Sequence, residues 1–179
     1  MNIIQKVINR IQLHRNPINF WRSKGVQIGN DCEVYTSANF GSEPYLISIG
    51  NHVRINAGVQ LITHDGGTWV LREKYKGFED VDLIKPIRIG DNVHIGSNAI
   101  VFPGITIGNN CIIGVNAIVT HDIPDNSVAV GIPARVIENI DDYFNKHKEE
   151  FVHTKKMHSK QKREYLISML IRDGRDRND

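Results

Sequence analysis

Histidine is the side chain whose ordinary pKa best suits proton transfer near neutral pH. The 179-residue chain carries eight of them. One, His64, stands at a junction. Before it, from Ile49, the chain runs in sixes: IGNHVR, INAGVQ, LITHDG. The sixes stop at Gly66 and resume at Ile89, so the 22 residues from Gly67 to Arg88 are an excursion from a regular scaffold. Excursions of this length more often carry function than decoration. His64 reads either as a positioned general base or as a surface histidine on a turn. The other histidines are placed less favourably. His52 and His94 are outward repeat positions with no adjoining loop, and His121 lies further along the repeat. His14, His147, His153 and His158 fall outside it.

The excursion carries Trp69, Tyr75 and Phe78 among Arg72, Glu73, Lys74, Lys76, Glu79, Asp80 and Asp82. Aromatic faces beside charged, hydrogen-bonding groups suit a polar ligand with apolar patches, such as a sugar ring. The same residues would equally serve to pack the loop on a neighbouring subunit. The two cysteines, Cys32 and Cys111, both occupy fifth positions of a six and are expected to point inward as small hydrophobes. They offer no nucleophile, disulfide framework or metal cluster, and a cytoplasmic location follows most simply.

The element that must position these groups is clearest from Ile89 to Pro124: IGDNVH, IGSNAI, VFPGIT, IGNNCI, IGVNAI, VTHDIP. The first residue of each six is Ile or Val, the second is Gly in four of them, and the fifth is small or aliphatic. This matches neither the 3.6-residue period of a helix nor the alternation of a long strand. A fixed period of six implies a parallel β-helix. First and fifth residues point inward, and three sixes make one triangular turn of about 18 residues. Turns stack about 4.8 Å apart. Gly in second place suits a corner that needs positive φ or close backbone approach. The phase extends back to Ile28, giving eleven first positions that are all Ile, Val or Leu. From Ile28 to Ile49 is 21 residues, three more than one turn, and the surplus is expected to bulge around Ser42-Glu43-Pro44.

Residues 1–24 are different in kind. Ile3, Ile4, Val7, Ile8 and Ile11 share one helical face, Lys6, Arg10, Arg15, Arg22 and Lys24 are basic, and no acid precedes Asp31. Two readings stand: a helix covering the open end of the repeat stack, or a basic amphipathic helix resting on an anionic membrane surface. Pro17 limits the helix. The β-helix spans 25–138, with the excursion at 67–88, and DNSVAVGIPARVIENI closes it. Residues 139–179 are highly charged, with Tyr165, Leu166, Met169 and Leu170 at helical spacing, and RDGRDRND is expected to fray. Composition is that of a soluble globular protein, 40% hydrophobic and 23% charged. A net charge of +2 is too small to argue for nucleic acid. No apolar run approaches the roughly 18 residues of a membrane span, and no signal-peptide pattern is present.

Four pieces, ISIGNHVRINAGVQLITHDGG, PIRIGDNVHIGSNAIVFPGITIG, NNCIIGVNAIVTHDIP and VAVGIPARVI, resemble the hexapeptide-repeat acyltransferases, most closely their sugar O-acetyltransferase branch, which includes the galactoside, maltose and nodulation-factor enzymes. The resemblance covers about residues 26–138. It implies an all-β, left-handed parallel β-helix with helical appendages at both ends, a homotrimer, and acetyl-CoA bound between adjacent prisms, with no metal. By the same resemblance His64 is the general base that deprotonates a sugar hydroxyl, and Asn39 of SANF contacts the acceptor; Trp69 joins it as an acceptor contact on the aromatic make-up of the excursion. Ser97 of IGSN, the Val115 backbone of IGVN, Thr120 of VTHD and Arg135 of GIPARVI hold the cofactor, Arg135 as the phosphate partner. Direct attack within a ternary complex is implied, with the oxyanion held by a backbone N–H.

Three departures stand out. His121 replaces the family's frequent Lys, Glu138 replaces a second basic residue, and the region before His64 is two residues shorter than in the galactoside enzymes. The first two change the expected phosphate contacts, and the third the acceptor pocket. A surface-polysaccharide or lipopolysaccharide precursor is the preferred acceptor. Alternatives are an antibiotic or sugar N-acyltransferase, a zinc-dependent γ-type carbonic anhydrase, or an inactive trimeric scaffold. The residue orienting His64 is not legible; Asp65 would point elsewhere in an extended chain.

Overall fold

The computed structural model describes residues 3–172. Of the stretch expected to fray, RDGRDRND, all but its first residue, Arg172, lies outside them. The described residues divide into two compact units, one reaching Phe144 and the other starting at Asn145.

Two helices, α1 (Ile3–Arg15) and α2 (Pro17–Ser23), precede the repeat. The first turn supplies β1 (Gln27–Ile28) and β2 (Glu33–Val34). The second supplies β3 (Ile47–Ile49), β4 (Arg54–Ile55) and β5 (Gln60–Leu61). A helix, α3 (Thr68–Lys74), opens the excursion. The third turn follows as β6 (Ile87–Ile89), β7 (Val93–Ile95) and β8 (Ile100–Val101), and the fourth as β9 (Thr106–Ile107), β10 (Cys111–Ile113) and β11 (Ile118–Val119). An antiparallel hairpin, β12 (Ser127–Gly131) and β13 (Ala134–Asn139), ends the stack. Helices α4 (Ile140–His147) and α5 (Ser159–Ile167) come after it. The prism is made of strands, but helices precede it and follow it in the chain, and one lies within the excursion.

The strands form three faces. The first runs β1-β3-β6-β9, the second β2-β4-β7-β10-β12-β13, and the third β5-β8-β11. All pairings except the terminal hairpin are parallel. Register follows the sixes. Ile89 pairs with Ile107, Ile95 with Ile113 and Val101 with Val119, each 18 residues on. Ile28 pairs with Ile49 across the three-residue surplus, and Ile55 with Ile95 across the 22-residue excursion. The inward ladder is dry: Ile55, Leu61, Ile95, Val101, Ile107, Ile113 and Val119 are fully buried. Each such side chain contributes about 1.5–3 kcal/mol of transfer free energy.

The glycines in second place serve close approach, not positive φ. A Cβ on Gly96 would lie 2.6 Å from the Val115 nitrogen in the next turn. The left-handed conformation falls two residues later, at Asp31, His52, Asn92, Asn98, Asn110 and Asn116. Short polar side chains tolerate that region best. Stacked, they bond to one another: His52 Nδ1 lies 2.8 Å from Asn92 Oδ1, Asn92 Nδ2 donates to Asn110 Oδ1 at 2.9 Å, and Asn110 Nδ2 donates to Asn126 Oδ1 at 2.8 Å. His52 is thereby a ladder rung.

The N-terminal helix is two helices. Asn16 caps the second, its Oδ1 accepting from the Asn19 N–H at 3.0 Å, with Pro17 in the first turn. Helix α2 covers the prism end: Trp21 is buried and stacks on Phe40 with ring centroids 4.6 Å apart. Helix α1 buries no residue. The end-covering reading therefore belongs to α2, and the apolar stripe of α1 stays exposed.

Candidate active site

The chain reaches His64 directly from the third face. Leu61 is the inward residue of β5, and fully buried Thr63 and half-exposed His64 follow at the corner. The excursion leaves here and returns to the same point. The Lys85 N–H donates to the Thr63 carbonyl at 2.8 Å, and the Asp65 N–H to the Leu83 carbonyl at 2.9 Å. His64 and Ile84 form an antiparallel bridge. The loop thus clamps both sides of the histidine.

The opposite wall comes from the turn before. The three surplus residues arch over the corner as a short 3-10 turn, Pro44–Leu46, and bring Ser42 and Glu43 to the imidazole. Glu43 Oε2 lies 3.2 Å from His64 Nδ1, and Ser42 Oγ lies 3.2 Å from the same nitrogen. Thr63 Oγ1 donates to Glu43 Oε2 at 2.7 Å. The Thr63 hydroxyl is the largest cause holding the Glu43 carboxyl below its ordinary value; burial opposes it, and Ser42 and His64 lower it further. A carboxylate so held can accept a hydrogen bond from Nδ1–H, and in that tautomer Nε2 is the basic nitrogen.

A cleft of about 420 Å³ opens beside this pair. Ile62, Leu83, Phe102 and Pro103 give it apolar walls, and His64, Asp65 and Lys85 give it polar ones. Small apolar walls with a few convergent polar groups are the usual make-up of a ligand site. A second cavity of about 400 Å³ lies on the outer second face, where Arg54 pairs with Glu33 at 2.6 Å and Asn56 Nδ2 reaches His94 Nε2 at 3.2 Å. Burial, and then the Arg54 charge, push the His94 pKa down.

The other expected site residues sort by corner. Asn39 bridges Gln60 and sits two residues before Gly41, whose N–H it binds through Oδ1 at 3.2 Å, so it precedes the Ser42-Glu43 arch. Trp69 is 73% exposed on α3 and does not line the His64 cleft. The loop is braced elsewhere, by Arg72 bonding Asp82 and the Val81 carbonyl. Ser97 and Val115 lie one above the other between the second and third faces, where the Asn116 N–H donates to the Ser97 carbonyl at 2.9 Å. Thr120 follows β11, on the same edge as Phe102 and Ile62, with its hydroxyl 3.0 Å from His121 Nδ1. Arg135 is exposed on β13, with one guanidinium donor on the Ala134 carbonyl at 2.9 Å. Thr120 and His64 therefore share one edge of the third face, and Ser97 and Val115 the other.

Glu43, Ser42 and Thr63 escaped the sequence reading as site residues. The signal was present: 21 residues between Ile28 and Ile49 instead of 18 marked where extra backbone had to go. Both cysteine sulfurs are tied to carbonyls, Cys111 to Pro124 at 3.1 Å and Cys32 to Gly50 at 3.2 Å, and burial pushes the Cys111 thiol up. Among the described residues no three His, Cys, Asp or Glu side chains converge as a metal site would need.

Comparison with known proteins points to the same repeat. Residues 86–121 match the family model described as hexapeptide repeat of succinyl-transferase. Protein CapG of Staphylococcus aureus is 52% identical over 149 residues, covering 82% of this chain and 85% of CapG. Galactoside O-acetyltransferase of Escherichia coli is 39% identical over 140 residues, covering 75% of this chain and 66% of that enzyme. Among solved structures, a maltose O-acetyltransferase from Clostridium difficile superposes with a TM-score of 0.51 at 31% identity, over 68% of this chain and 73% of that one.

Proposed function

Because the chain belongs to the hexapeptide-repeat acyltransferases, in their sugar O-acetyltransferase branch, we propose that it transfers acetyl from acetyl-CoA to a saccharide hydroxyl with His64 as general base. The observation that carries this is the 3.2 Å approach of Glu43 to His64 Nδ1 beside a cleft with mixed walls. It supplies what the reaction lacks in water, a base held in one tautomer against a hydroxyl that is barely ionised at neutral pH.

Acetyl-CoA, when bound, supplies an activated acyl group. His64 Nε2 takes the proton of the acceptor hydroxyl as its oxygen bonds to the acetyl carbon. Glu43 stabilises the imidazolium so formed. The carbon–sulfur bond breaks, and the same proton goes to the departing sulfur. The residues present fit the donor. Ser97 and Val115 stand at an open corner, with glycines behind them that let successive turns approach closely. Thr120 lies on the catalytic edge, and Arg135 offers an exposed guanidinium suited to phosphate.

A trimer is part of the same reading. Outward on the third face, Ile62, Ile100, Phe102 and Ile118 are apolar and outnumber Gln60 and Thr120, whereas the outward residues of the first, Gln27, Ser48, Arg88 and Thr106, are all polar. An apolar outer face beside the site supports burial against a neighbouring prism, which would wall the cleft. We assign the left-handed winding, the cytoplasmic location and the saccharide acceptor to this reading as well. The narrower acceptor is a surface-polysaccharide or lipopolysaccharide precursor, placed near Asn39 and the Trp69 loop.

The experiment is thiol release from acetyl-CoA with a panel of sugars, repeated with His64→Ala. Acceptor-dependent release that disappears in the variant is the expected result. Release that survives the substitution overturns the base assignment, and no release with no acetyl-CoA binding overturns the activity.

A further inference from the structure

Helix α1 presents its most apolar side away from the prism it is attached to. At 3.6 residues per turn, Ile3, Val7, Ile8 and Ile11 fall within an arc of about 140°. They are 77%, 52%, 40% and 50% exposed. Leu13, the α1 residue that packs against the core, lies on roughly the opposite side of the helix. The contact between α1 and its own prism therefore leaves the stripe facing outward.

The charge around the stripe has one sign. Lys6 and Arg10 flank it and Arg15 ends the helix, and the sequence holds no acidic residue before Asp31. Two such helices set against each other would bring like charges together, which argues against pairing between copies. A helix of 13 residues is too short to cross a bilayer, and no helix among the described residues is long and apolar enough to do so. An apolar stripe bordered by cations matches the boundary between anionic headgroups and acyl chains.

We propose that α1 is a membrane-surface anchor, lying in the plane of an anionic phospholipid bilayer with Ile3, Val7, Ile8 and Ile11 in the acyl boundary and Lys6 and Arg10 on the headgroup phosphates. The anchor is independent of the acetyl-transfer reading, since none of its residues touches the His64 site.

The test is vesicle flotation of the full chain. Vesicles of equimolar phosphatidylcholine and phosphatidylglycerol carry the protein upward at low salt and release it at high salt, and pure phosphatidylcholine vesicles do not carry it. Removing two cations with Lys6→Gln/Arg10→Gln lowers the partition by about tenfold or more, since each cation near an anionic surface contributes roughly a factor of five. Val7→Gln/Ile11→Gln lowers it similarly, with circular dichroism and oligomeric mass unchanged. Failure to float on anionic vesicles at low salt overturns the proposal. So does partition indifferent to both variants. Loss of the oligomer in Val7→Gln/Ile11→Gln would mean that a second copy covers the stripe, and overturns it too.

Discussion

Glu43 and His64 lie 21 positions apart in the chain, and their Oε2 and Nδ1 atoms stand 3.2 Å apart across one edge of the prism. The three-residue surplus that breaks the 18-residue turn is what carries the carboxylate there. His64→Ala is expected to lower kcat/KM by about 10²–10⁴-fold with little change in acetyl-CoA affinity. Glu43→Gln keeps the shape but removes the charge, and is expected to lower kcat/KM by about tenfold or more through kcat. Steady-state kinetics against both substrates, with the pH profile, measures each. A Glu43→Gln enzyme with unchanged kcat and profile would remove Glu43 from the mechanism.

Thr63 is fully buried, and its hydroxyl is the main support of the Glu43 carboxylate. Because Glu43 titrates below its ordinary 4.5, its share of stability is complete above that pH and is lost as pH falls through the lowered value. Thr63→Val removes the donor and keeps the shape. It is expected to cost about 1–3 kcal/mol at neutral pH and to move the acid limb of unfolding upward. Thermal melts across the acid range check both effects.

The His94 pKa is pushed down by burial. The unfolded chain therefore binds a proton that the folded chain resists, and stability falls as pH drops below the ordinary 6.5. His94→Gln keeps an acceptor for Asn56 and is expected to flatten this limb. Urea unfolding between neutral pH and the lowered pKa tests it, and an unchanged slope refutes it.

Gly96→Ala places a methyl 2.6 Å from the Val115 nitrogen. The turns cannot separate without breaking the ladder on both sides, so the cost is expected to be about 1–3 kcal/mol. The change also shifts the corner holding Ser97 and Val115. Denaturant unfolding with a parallel acetyl-CoA titration separates the two effects.

Ile118 lies on the outer third face between the two edges that carry the proposed site. Ile118→Arg is expected to convert a trimer to monomers, read by light scattering, and to abolish turnover with the fold retained. A variant that stays trimeric would move the subunit contact to another face.

The sequence alone determined the prism. A period of six with aliphatic residues in first and fifth place has one economical burial solution, and every register pairing from Ile28 to Val119 follows from counting. It also located the interruption at His64, because a broken period is as legible as a kept one. Tertiary structure decided the rest, for physical reasons visible at particular residues. The partner of His64 comes from the preceding turn, and the path of a three-residue bulge is set by packing over Thr63, which no local pattern encodes. The second-place glycines turned out to serve contact between turns, a relation between residues one full turn of the prism apart. The N-terminal stripe was plain in the sequence, but only the burial of Trp21 and the contact at Leu13 reveal that α2, not the apolar side of α1, covers the prism end.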